Sequence, residues 1–175
     1  PDLVALAYWF RRSSIKKLSE AYPTVNEFIR VGRGLSLHIA PSNVDTIFVY
    51  SFFLCLLSGN SCFIRVSQNE SPQLTILIKV FNEIYEADGN EAAARFVICT
   101  YPRDSPITEL VSRHCDLRLI WGGDDAVSVI GALPLKPTAT ELKFPNRSSF
   151  SAVKLRALDR LSNEDLRKLT ALFYN

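Results

Sequence analysis

Residues 34–60 read GLSLHIAPSNVDTIFVYSFFLCLLSGN, and this stretch decides the fold. Leu35, Leu37 and Ile39 alternate with Ser36 and His38, the period of an extended strand. Pro41, Ser42 and Asn43 then break that strand, and Asn43 and Asp45 are both candidates to cap the next helix. From Phe48 to Leu57 the chain is almost wholly apolar, which predicts a helix buried on most sides. Gly59 and Asn60 stand where a helix C-cap belongs. The order is strand, polar turn, apolar helix. Ligands of α/β proteins bind in the crevice at the carboxyl ends of the strands, so the turn at 41–43 is a candidate site.

Residues 3–21 read as one amphipathic helix, with Leu3, Leu6, Ala7, Phe10, Ile15 and Leu18 on one side and Pro23 beyond its end. Residues 25–31 read as a short helix or turn leading to Gly32 and Gly34. The first strand covers 35–40 and its helix 46–57. A second strand is predicted over 62–66, then a polar turn and a helix from Pro72 to about Tyr85, with Leu74, Leu77, Ile78, Phe81 and Ile84 on its buried face. Residues 88–90 form a loop and 91–94 a helical turn. Further on come a third strand at 95–100, a turn at 101–105, a short helix at 106–113 and a fourth strand at 117–121. Gly122, Gly123, Asp124 and Asp125 open another helix, roughly 126–132. Pro134 and Pro137 mark a loop, and 141–144 and 150–153 read as extended. Ser162 and Asp165 make a capping-box-like start to a last helix over 163–173.

Strands alternate with helices four times, which predicts a doubly wound parallel sheet with right-handed crossovers. Gly32 and Gly34 precede the first strand, and no G-x-G-x-x-G follows one, so the usual dinucleotide fingerprint is absent. The residues alone reach a nucleotide-binding-like α/β fold without naming its ligand.

A length of 175 residues suffices for one domain with a real core. Hydrophobic residues at 47% and charged residues at 22% are ordinary for a globular chain, and a net charge of +2 makes no case for nucleic acid or an anionic membrane. Cys55, Cys62, Cys99 and Cys115 form no C-x-x-C pair and sit in apolar runs, so they read as buried, reduced thiols. Cys115 follows His114, but neighbours on a strand point to opposite faces, which argues against a Cys–His dyad. Arg11, Arg12, Lys16 and Lys17 follow the apolar residues 3–10, the wrong order for a secretory signal. The apolar run near 47–57 is too short to span a bilayer, and a cytoplasmic location is expected. The chain opens at Pro1 and contains no Met, so it is expected to be part of a longer protein.

Ala-Pro-Ser-Asn-Val at 40–44, the apolar helix and Leu-Ser-Gly-Asn at 57–60 together resemble the first strand–loop–helix of the aldehyde dehydrogenase superfamily. They are more similar still to its branch of acyl-CoA reductases found in bacterial luminescence systems. The resemblance covers most of 30–155 as several motifs in the right order. It implies an N-terminal helical segment over 1–33, part of an aldehyde-dehydrogenase-like nucleotide-binding α/β domain over 34–175, and a catalytic domain outside this chain. The implied reaction is NADPH-dependent reduction of a long-chain acyl-CoA or acyl-thioester to the fatty aldehyde, through a thioester on a cysteine outside this chain. An acyl-transferring or acyl-activating subunit and an oligomer are implied as partners.

The same resemblance assigns roles residue by residue. Pro41 and Ser42 would line the cofactor, and the Asn43 amide would donate to the developing oxyanion. Arg65-Val66-Ser67-Gln68 stands where the superfamily has Lys-Pro-Ser-Glu against the adenosine ribose. A Glu there binds both ribose hydroxyls and repels a 2′-phosphate. Gln68 removes that repulsion and Arg65 can pair with phosphate, which tilts the cofactor to NADP(H) with NAD(H) still open. The turn opened by Trp121 replaces Phe-Thr-Gly-Ser; Gly122 and Gly123 would let backbone approach a pyrophosphate at a helix N-terminus. Asp124 and Asp125 repel phosphate there unless their carboxylates point away. Residues 141–150 resemble Glu-Leu-Gly-Gly-Lys-Ser-Pro in two competing registers. Arg147 in the Lys position puts Lys143 where the catalytic Glu belongs, while Glu141 as general acid/base leaves the spacing two residues too long. No Cys follows Cys115, so this chain alone is expected to bind a nucleotide without turning over substrate. No metal site is expected. The eroded Glu segment and the paired Asp residues leave a second possibility, a non-catalytic scaffold or partner-binding domain of the same fold.

Overall fold

The computed structural model describes residues 2–22, 31–69, 71–88 and 90–174. Five strands form one all-parallel sheet: β1 Leu35–Ile39, β2 Ser61–Arg65, β3 Phe96–Cys99, β4 Leu117–Trp121 and β5 Thr140–Phe144. Their order is β3-β2-β1-β4-β5. The chain builds outward from β1 to one edge, returns to the other side of β1, and builds outward again. At that reversal Ile39 is in register with Arg65 of β2 and Ile120 of β4. The described helices are α1 Asp2–Trp9, α2 Arg12–Ala21, α3 Ile47–Leu57, α4 Pro72–Asp88, α5 Asn90–Arg95, α6 Ile107–His114, α7 Asp124–Gly131, α8 Leu155–Leu158 and α9 Asn163–Tyr174.

The sheet is covered on both faces, which is why its central strand is buried at Ser36, Leu37, His38 and Ile39 alike. Leu37 and Ile39 pack with Cys115, Ile120 and Val127 on the α7 side. Cys62, Ile64 and Leu119 pack on the other side with Phe48, Val49 and Phe52 of α3, Leu77 and Phe81 of α4, and Leu6 of α1. Ser36 and His38 are the two polar positions that β1 turns toward α3. His38 Nε2 lies 3.0 Å from Ser36 Oγ and Nδ1 lies 3.3 Å from Ser51 Oγ, so both ring nitrogens are partnered inside the core.

The edge strand β5 is tied in by charge at Glu141 as well as by Phe144, which packs against the core. Arg118 of β4 is 1% exposed. It pairs with Glu141 and donates to the carbonyls of Leu133 at 3.2 Å and Gly131 at 3.4 Å. Lys143 reaches the other oxygen of Glu141 at 2.7 Å.

The structure departs from the sequence reading in several places. The single helix expected over 3–21 is two, because Arg11 is extended (φ −61°, ψ 152°). The break lets Phe10 turn onto α3, with its ring 4.7 Å from Phe53 and 5.6 Å from Tyr50, while the Arg11 guanidinium sits 3.8 Å over the Tyr8 ring. Neither Asn43 nor Asp45 caps α3; Thr46 holds that position without a side-chain hydrogen bond. Residues 150–153 form no strand, and α8 follows them. The expected element at 25–31 lies, but for Val31, outside the described residues. At α9 the cap forms as expected: the Asp165 amide donates to Ser162 Oγ at 3.1 Å, and that hydroxyl donates to the Asp165 carboxylate at 2.6 Å. Among the described residues no helix is long and apolar enough to cross a membrane.

Candidate functional site

The reversal of strand order opens a crevice where the chains leaving β1 and β4 diverge, and a cavity of about 800 Å³ occupies it. One wall is the turn after β1, with Ile39, Ala40, Pro41 and Ser42. The second is the end of β2, with Arg65, Ser67, Gln68 and Asn69, extended by the turn after β3 from Arg103 to Pro106. The third is the end of β4, with Trp121, Gly122 and Gly123, continued by Asp125, Ala126, Val129 and Ile130 of α7.

Each wall has a local reason for its shape. The Ser67 hydroxyl accepts from the Asn69 amide at 3.1 Å, curling the chain back at the end of β2. Arg65 donates to the Tyr101 carbonyl at 3.2 Å, and its guanidinium carbon lies 5.5 Å from the Tyr101 ring centre. Tyr101 is itself buried, and its hydroxyl accepts from Thr108 of α6 at 3.0 Å. On the third wall the Trp121 ring stacks on Phe144 at 3.9 Å. The Trp121 Nε1–H is buried with no hydrogen-bond partner among the described residues. Gly122 donates to the Phe144 carbonyl at 3.3 Å, and a Cβ at Gly122 would meet the Ala126 Cβ at 3.2 Å, so the turn into α7 is tight. Gly123 is the N-cap of α7. Asp124 is turned aside, accepting the Asn146 amide at 3.1 Å, whereas Asp125 lines the cavity.

Pro41, Ser42, Arg65, Ser67, Gln68, Gly122 and Gly123, scattered over more than eighty residues of sequence, thus line one cavity. Asn43 does not: it is exposed on the same turn, next to Ser42. Glu141 also lies off the cavity, its carboxylate held between Arg118 and Lys143. Arg103 and the α7 face were missed by sequence reasoning. Arg103 was within reach of it, since 101–105 reads as a turn at the carboxyl end of a strand, the criterion that singles out 41–43.

The cysteines take no part in the cavity. All four are free; Cys55, Cys62 and Cys115 are buried and Cys99 half-buried. Burial pushes each thiol above its ordinary range, Cys62 to about 11, which leaves them poor nucleophiles. His114 is exposed while Cys115 is fully buried, donating to the Ser112 carbonyl at 3.5 Å, so the adjacent pair does not act together. No group of His, Cys, Asp and Glu among the described residues could hold a metal ion.

The family model of acyl-CoA reductase (LuxC) matches residues 13–171, which include every residue of the cavity. The chain belongs to the acyl-CoA reductase (LuxC) family. It is 24% identical over 143 residues to the long-chain acyl-protein thioester reductase of Aliivibrio fischeri, covering 81% of this chain and 29% of that protein. Against the protein of the same description from Photorhabdus laumondii the identity is 25% over 141 residues, covering 78% and 28%. Against long-chain acyl-protein thioester reductase 2 of Photobacterium leiognathi it is 28% over 125 residues, covering 69% and 25%. This LuxC-family chain therefore spans less than a third of the length of these curated relatives.

Proposed function

We propose that this LuxC-family chain forms the cofactor-binding part of an NADPH-dependent reductase that converts a long-chain acyl-CoA or acyl-protein thioester to the fatty aldehyde. The observation that carries the reading is the cavity at the strand-order reversal, with Arg65, Ser67 and Gln68 at one end and the Gly122–Gly123 turn into α7 at another. The residues present fit a nicotinamide dinucleotide. Arg65 supplies fixed cationic donors, Ser42, Ser67 and Gln68 supply neutral ones, and Trp121 Nε1–H is a buried donor without an acceptor among the described residues. When bound, the cofactor supplies the hydride that reduces the acyl carbon.

Within that reading, Arg65 pairs with phosphate, Gln68 binds ribose without repelling a 2′-phosphate, and Gly122 and Gly123 let the backbone come close to the pyrophosphate. Asn43, exposed beside Ser42, donates to the oxyanion formed on the acyl group. Glu141 keeps a structural task, since its carboxylate is committed to Arg118 and Lys143. The nucleophilic cysteine belongs to a part of the protein outside this chain, as do the acyl pocket and the contacts with an acyl-transferring or acyl-activating subunit. The same reading carries a cytoplasmic, oligomeric enzyme. Asp125 in the cavity wall, whose charge opposes a bound phosphate, and Glu141 held off the cavity by Arg118 and Lys143 favour the second reading, a non-catalytic domain.

Titration of the protein with NADPH and NADH, read by Trp121 and nicotinamide fluorescence, separates the two. Saturable binding with NADPH tighter supports the reductase. Absence of binding of both cofactors to the intact protein overturns it in favour of the scaffold.

A further inference from the structure

Arg103 enters the cavity from the turn that follows β3 and has no part in the reading above. Arg65 is in register with Cys99 of β3, so the chain leaving β3 passes beside the end of β2. The turn is braced at both ends. Tyr101 accepts from Arg65 through its carbonyl and from Thr108 through its hydroxyl, while the Ser105 amide donates to the Pro102 carbonyl at 3.1 Å. The Tyr101 carbonyl occupies part of the Arg65 donor fork, and among the described residues no carboxylate forms an ion pair with Arg65 or Arg103. Of the two carboxylates on this side, Glu109 is paired with Arg113 at 2.7 Å and Asp104 stands next to Arg103 in the turn.

A phosphate monoester carries nearly two negative charges at neutral pH and offers three acceptor oxygens. One guanidinium fork matches two of those oxygens and one of those charges; a second Arg completes the match. We propose that Arg103 joins Arg65 in gripping the phosphate monoester on the adenosine ribose, and that Tyr101 is the positioning residue that holds the Arg103 turn against the end of β2. This inference rests on the nicotinamide-cofactor reading and assigns the discrimination between its two forms to a two-arginine clamp.

The test is calorimetric titration of the intact protein with NADPH, NADH and adenosine 2′,5′-bisphosphate, for the natural sequence, Arg103→Ala, Arg103→Lys and Tyr101→Phe. Arg103→Ala is expected to weaken NADPH and the bisphosphate by about ten- to a hundredfold, the worth of a charge-assisted hydrogen-bond pair, and to leave NADH within about twofold. Arg103→Lys, which keeps the charge and loses the fork, falls between. Tyr101→Phe, which removes only the hydroxyl acceptor for Thr108, weakens NADPH by less than Arg103→Ala does and leaves NADH unchanged. Retained NADH affinity in each variant shows that the cavity is intact. If Arg103→Ala changes NADPH and NADH equally, or changes neither, the clamp is overturned while the cofactor reading stands. If the natural sequence binds no nucleotide, the cofactor reading falls and takes the clamp with it.

Discussion

Burial holds His38 neutral inside the α3 interface and lowers its pKa from 6.5 to about 4. The unfolded chain therefore takes up a proton at a higher pH than the folded one. Stability is fully present above about 6.5 and declines as pH falls toward about 4, where the folded state too begins to protonate. The full effect is on the order of 3 kcal/mol from a shift of this size. Urea midpoints at pH 7 and pH 4.5 should differ more for the natural sequence than for His38→Gln, and an identical pH dependence in the two proteins would refute the assignment. Gln68 offers a second test at this scale. Gln68→Glu places a carboxylate in the cavity wall that Arg65 also lines, so NADPH affinity should fall by about tenfold or more while NADH affinity holds or rises. Parallel titrations measure both. The polar turn at 41–43 is legible as site material because Pro, Ser and Asn interrupt apolar runs at a strand end, whereas 65–68 is marked out by the family resemblance. The turn that carries Arg103 is legible by the same strand-end criterion, but that it closes on the end of β2 is seen only once β3 lies beside β2.

At the scale of elements, β5 shows where an element can be read while its role cannot. Residues 141–144 read as extended, one residue short of β5, and Glu141 as a candidate general acid/base. Its partner Arg118 lies 23 residues earlier on a different strand, so nothing local reveals that the pair is structural. Glu141→Gln leaves the Arg118 charge buried and underpaired, and should cost about 3–5 kcal/mol in chemical denaturation. Replacing both partners together, Arg118→Met with Glu141→Leu, should recover most of that loss. A Glu141→Gln protein of undiminished stability would show that the pair does not anchor β5. The helix break at Phe10 and Arg11 is hidden for a related reason. Residues on either side have helical periodicity, and only contact of Phe10 with Tyr50 and Phe53 selects the bend. By contrast α3, α4 and the interior strands are readable almost to their ends, because burial on both faces of the sheet imposes unbroken apolar runs.

For the whole molecule, the doubly wound order puts one cavity between walls from four separate stretches of chain, so on the proposed reading nucleotide binding and global folding are linked. NADPH at a hundred times its dissociation constant should raise the unfolding free energy of the intact protein by about 2.7 kcal/mol, measured as a shift in the denaturation midpoint. Arg103→Ala should reduce the NADPH shift and spare that produced by NADH.

The position of β1 has a temporal side. Its pairing with β2 links residues close in sequence, whereas its other flank is closed by β4, and the Leu35 amide finds the Asp116 carboxylate only across a separation of 81 residues. A ribosome adding about 5–20 residues per second leaves that flank open for several seconds. The hydrophobic side chains of Leu37 and Ile39, together with an unpaired backbone edge, are then offered to any neighbouring nascent chain. The strand that later leads into one wall of the cavity at Ile39 is thus in need of protection during synthesis, and yield on expression should respond to chaperone supply and growth temperature more than to the stability of the finished fold.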